Sequence, residues 1–115
     1  MDIIIVRQIA LEAARNSRAS AAEWTPRLIR RFRRKYKIKL DAGEVASLFE
    51  HYQRVYADAA SLMKDYLKPV RSDYASFEDL DWEAYVARLV QVFPQEDLEI
   101  LTGLGNWAFQ YAYLR

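Results

Sequence analysis

The stretch that most constrains this chain starts at "LDAGEV" and runs to Tyr66. Within it Val45, Leu48, Phe49, Tyr52, Val55, Tyr56, Ala59, Leu62, Met63 and Tyr66 recur at spacings of three, one and three. That is a sustained heptad with apolar a, d and e positions. A strand changes face at every residue and would scatter these side chains over both sides of a sheet. The pattern therefore predicts one long helix, about residues 42–67, whose apolar face is wide enough for a bundle core. Asp41 is its expected N-cap, Glu44 completes a capping box, and Leu40 with Val45 can form the hydrophobic staple. Pro69 is the expected stop, since proline cannot supply the next helical N–H.

The rest of the chain predicts helices that pack around this one. Apolar residues at 5, 6, 9, 10 and 13 keep one helical face over residues 3–16, and the "NSRAS" that follows loosens the pattern, with a weak continuation toward Trp24. No second run of strand character exists to pair with the β-branched start "IIIV". Thr25 followed by Pro26 reads as an N-cap and first helical residue, so a second helix is expected from Pro26. "DLDWEAYVARLVQVF" resumes helical spacing through Trp82, Tyr85, Val86, Leu89 and Phe93, capped by Asp79 or Asp81. Pro94 is expected to end that helix and to open a last one, with acids in its first turn and a bend or split at Gly103 and Gly105. With 115 residues, the expectation is a single helical domain, residues 1–115. Its fold class is all-α, a bundle of four to five helices around the long central one.

Composition narrows the function classes. The chain has no cysteine, which removes disulfides, thiol nucleophiles and thiolate metal sites and suits a reducing compartment. The apolar run Ile3–Val6 is too short for a signal peptide or a membrane span, so the expected location is cytoplasmic, away from membranes. Catalysis fares badly. The one histidine, His51, has Glu44 and Asp58 a heptad away, about 10 Å along a helix and too far to share a metal ion. The acids Glu78, Asp79, Asp81 and Glu83 stand where caps and dipole partners stand, without calcium-loop spacing. The expectation is a non-enzyme without cofactor or metal.

Charge is the feature that points outward. The formal net charge is only +1. Yet residues 1–40 hold eleven Lys or Arg against three acids, a balance of +8, and residues 41–115 hold six against thirteen, a balance of −7. Eight of the basic residues fall in "TPRLIRRFRRKYKIK", residues 25–39. On a helical wheel Leu28, Ile29, Phe32 and Tyr36 share an arc of about 100°. Arg27, Arg30, Arg34 and Lys37 line the opposite side, and Arg31, Arg33 and Lys35 border the apolar face, where their stems can snorkel. Like charges at these spacings repel, so helix stability does not account for them. A negative surface over that face does.

Three surfaces fit: a nucleic-acid backbone, an acidic protein, or solvent, with the acids between Asp73 and Glu99 offsetting the stripe in the same fold or in a neighbouring copy. Arginine predominates, and its planar fork matches phosphate oxygens, which favours RNA or single-stranded DNA bound through Arg27, Arg30, Arg31, Arg33, Arg34, Lys35 and Lys37. No adenine-reading Asn or Gln and no sequence-reading motif accompanies them. Tyr36 could stack on a base, but its wheel position favours the core. The closing "NWAFQYAYLR" is apolar nearly all round, so it is either central in the bundle or covered by another molecule through Trp107, Tyr111 and Tyr113.

The order of features resembles the all-helical small subunits of multi-subunit CRISPR effector complexes, especially the type III complexes. The residues that carry the resemblance are "TPRLIR", "LFEHYQRVYADAASLMKDY" and "LGNWAFQYAYLR", in order over most of the chain. It implies a non-catalytic subunit stacked head to tail with copies of itself or with other subunits along a guide–target duplex, in antiviral defence, with Arg27 and Arg30 as backbone contacts. The alternative expectation is a small protein-interaction module, an inhibitor or adaptor of phage or mobile-element type, docking through its basic face or its aromatic C-terminal helix.

Overall fold

The computed structural model describes residues 1–68 and 77–113. Five α-helices make up most of them: α1 (Ile3–Arg15), α2 (Ala21–Tyr36), α3 (Ala42–Met63), α4 (Trp82–Val92) and α5 (Leu98–Ala108). The fold is all-α. Among the described residues the one strand-like pairing is an isolated antiparallel bridge between Leu67 and Leu80. Pro69 and Asp73 lie outside the described residues. The helices fall into two compact units, residues 1–55 and 56–115, and α3 runs through the division.

The long helix forms from the predicted start but ends at Met63, four residues short of the expected 67 and before Pro69 can be the stop. The Asp41 carboxylate accepts from the backbone N–H of Glu44 at 2.9 Å. Val45, Phe49, Tyr52, Val55, Ala59 and Met63 are buried along it. After Met63 the chain tightens into a 3-10 turn, Lys64–Tyr66.

In the first unit α2 starts earlier than expected. Ser20 is its N-cap, its hydroxyl accepting from Ala22 N–H at 3.1 Å. Thr25 is therefore not a cap: it is buried inside the helix and donates its hydroxyl to the Ala21 carbonyl at 2.6 Å. Pro26 lies in the interior of α2 and costs it one backbone bond. Gln53 on α3 decides where the turn falls. Its side-chain amide donates to the carbonyls of Asn16 at 3.0 Å and Ala19 at 2.8 Å, pinning the chain between α1 and α2 in non-helical form. Ile5, Ile9, Ala10 and Ala13 of α1 and Leu28 and Phe32 of α2 are buried.

In the second unit Asp81, not Asp79, caps α4, accepting from Ala84 N–H at 3.2 Å. Pro94 lies in the turn after α4, and Asp97 caps α5, accepting from Ile100 N–H at 3.1 Å. Pro94 thus does not open the last helix. Nor do the glycines split it: α5 is continuous through Gly103 and Gly105, and its geometry changes only after Ala108, into a π-helical segment, Phe109–Tyr113.

Gly105 is where α4 meets α5. A Cβ there would stand 2.8 Å from Cε2 of Tyr85, whose ring is fully buried. Tyr85 also donates its hydroxyl to the Ala59 carbonyl at 2.7 Å and so ties α4 to α3.

Tyr56 titrates above the ordinary tyrosine value of 10.0 because burial disfavours its phenolate. The sign follows from linkage: the contribution to stability is fully present below the unfolded value and is lost as pH rises through the folded one. Tyr56→Phe is expected to remove one phenolate absorbance step above pH 10 in an alkaline titration and to lessen the fall in stability there. A titration with no step lost above pH 10 would show that Tyr56 is not a raised tyrosine.

Candidate nucleic-acid interface

Helix α2 presents its basic residues as two sets. Arg27, Arg30, Arg31, Arg34 and Lys35 line one open recess of about 470 Å³. All five are exposed, and they span nine residues, about 12 Å of helix from first to last. Arg33 is exposed but outside that set, on the other flank of the helix. Lys37 does not continue the stripe. It ends α2 in the left-handed conformation with φ of 55° and donates its backbone N–H to the Arg33 carbonyl. The expected row of Arg27, Arg30, Arg34 and Lys37 is thus shortened by one, and Arg31 and Lys35 join it.

Two acids tune the recess. Glu12 of α1, only 8% exposed, holds Arg31 at 2.9 Å and Arg15 at 3.3 Å on the same oxygen. Both guanidinium groups remain about half in water, so the pairs do more to aim Arg31 than to stabilise the fold. Glu23 lies 3.5 Å from Arg27, with both side chains more than half exposed. Arg30 and Arg34 have no carboxylate partner among the described residues of this unit. Of the recess arginines, these are the two without a carboxylate partner among the described residues, one helical turn apart, where their repulsion has no local compensation.

Tyr36 is half-buried, with the Lys35 ammonium 5.3 Å above its ring. Its hydroxyl is hydrogen-bonded by the side-chain amide of Gln8, and its ring packs on Phe32 at 6.1 Å between centroids. A second half-buried aromatic residue on this helix is Trp24, with the Arg27 guanidinium 5.1 Å above its ring. Sequence reasoning missed both Glu12 and Trp24. The first comes from a different helix; the second was excluded by starting α2 at Pro26.

At the far end of the chain Trp107 and Tyr111 stack with centroids 3.8 Å apart, Tyr111 being 62% exposed. Ala108 and Phe109 are fully buried. This segment is therefore neither wholly core nor wholly surface. The Tyr113 side chain lies outside the described set. His51 packs edge-on against Tyr52 at 4.8 Å. Among the described residues no group of three or more His, Asp or Glu is placed to hold a metal ion, and no helix is long and apolar enough to cross a membrane.

No protein-family model matches the chain, and neither a curated protein nor a solved structure is detectably similar to it.

Proposed function

We propose that this chain is a non-catalytic helical subunit that binds a nucleic-acid backbone, RNA or single-stranded DNA, within a larger cytoplasmic nucleoprotein assembly of the kind the CRISPR effector small subunits build. The observation that carries the reading is the recess on α2: four arginines and a lysine converge, and Arg30 and Arg34 have no carboxylate partner among the described residues. Phosphate oxygens match the arginine fork in shape and charge. Arg30, Arg31, Arg34 and Lys35 supply the contacts, Arg31 from the position Glu12 gives it.

Anisotropy of a labelled single-stranded oligonucleotide, measured across a salt series, tests this. With four phosphates engaged, log affinity falls with log salt at a slope of about −3. Absence of binding at low salt, or binding indifferent to salt, rejects the reading. A second reading rests on the stacked Trp107 and Tyr111, a flat aromatic surface suited to docking another protein subunit. Capture of one dominant protein partner that survives nuclease treatment and is lost in Tyr111→Ser favours it.

A further inference from the structure

Trp24 lies on the recess side of α2 once the helix begins at Ala21. At 100° per residue it falls between Arg31 and Lys35 on the wheel, one row with them, and about 10 Å N-terminal to Arg31. It stands one turn before Leu28 and about 40° from it, at the border of the apolar face, and unlike the fully buried Leu28 and Phe32 it remains partly open to solvent. Arg27 links it to the basic site. Its guanidinium lies 5.1 Å from the indole centroid and 3.5 Å from Glu23 in an exposed pair, and Arg27 is one of the residues that line the recess. The cation–π contact favours one orientation of the indole.

We propose that Trp24, with the Arg27 guanidinium layered on it, is a base-stacking platform at the N-terminal end of the α2 recess, so that the ligand is a single strand with accessible bases and not merely a polyanion. The inference rests on the backbone-binding reading above. Duplexes keep their bases stacked on one another and offer this platform nothing, while an unpaired strand can lay one base on the ring as its next phosphates reach Arg31, Arg30 and Arg34. Because every base has a flat face, such a platform tolerates sequence, in keeping with the lack of base-reading amides on α2.

The test compares a short oligo-thymidine strand, an abasic strand of equal length and a duplex, each against the wild type, Trp24→Leu and Trp24→Phe. Wild type is expected to prefer the oligo-thymidine strand to both others. Trp24→Leu should weaken that strand by about 10-fold and leave the abasic strand unchanged, and Trp24→Phe should recover most of the loss. Quenching of tryptophan emission by oligo-thymidine should be present in the wild type and reduced in Trp24→Phe, which still folds and binds. Equal affinity for the abasic and thymidine strands, tighter binding of duplex, or an equal loss on both strands in Trp24→Leu overturns the platform and leaves backbone binding standing. If the wild type binds none of the three probes, both readings fall.

Discussion

Gly105→Ala lowers the melting stability of the protein by about 1–3 kcal/mol, the usual cost of forcing a group into a filled core, whereas Gly103→Ala raises it by about 0.5–1 kcal/mol. The two glycines are two residues apart on one helix, so helix propensity favours alanine equally at both. Their surroundings differ. Nothing lies within 4 Å of a Cβ at Gly103, but at Gly105 that carbon would meet Tyr85 Cε2 at 2.8 Å, its hydroxyl at 3.4 Å and Trp82 Cη2 at 3.5 Å. The Tyr85 ring cannot swing aside without breaking its hydroxyl bond to Ala59 and moving in a filled core. Denaturant melts of the two variants check this, and opposite signs are the decisive result. A stabilised Gly105→Ala would mean that α4 and α5 are less tightly seated than the distances require.

The double reversal Arg30→Glu with Arg34→Glu weakens single-strand binding by about 100-fold or more at low salt, taking about 1.5 kcal/mol for each charge-assisted bond lost. The salt slope drops toward about −1.4, as two of four phosphate contacts go. Both side chains are exposed and without a carboxylate partner among the described residues, so folding is unaffected and far-ultraviolet dichroism stays at the wild-type value. Arg33→Glu with Lys37→Glu is the matched control. It changes net charge by the same amount, but Arg33 and Lys37 are outside the recess. Equal losses in the two double variants would show a general attraction of charge, not a site.

How far the sequence foretold these features depends on whether the deciding contacts are local. The α3 heptad and the caps Asp41 and Asp81 act within a few residues of themselves and could be read directly. Arg27, Arg30 and Arg34 were legible as one stripe because helical spacing alone sets their direction. The start of α2 was not, because two cap signals five residues apart, Ser20 and Thr25, compete on nearly equal terms. The choice falls to Gln53, which binds the turn from more than thirty positions away. Placing the start at Pro26 left Trp24 at the end of a weak continuation of the first helix, outside the basic one. Glu12 was hidden differently: an acid in an apolar helix face looks like a boundary residue until α2 brings Arg31 to it. The division into units at residue 55 left no composition shift, since α3 carries its heptad across it unchanged.

The bridge at Leu67 and Leu80 has a bearing on how this protein can be modified. Lys68 donates its backbone N–H to the Asp79 carbonyl at 2.7 Å, and Asp81 donates to Tyr66 at 3.0 Å. These bonds clasp the two ends of the intervening segment whatever its length. For a segment so clasped, doubling the number of residues costs only about 0.6 kcal/mol of closure entropy. A reporter peptide or an affinity handle spliced between the clasped ends can therefore be carried with little loss of stability.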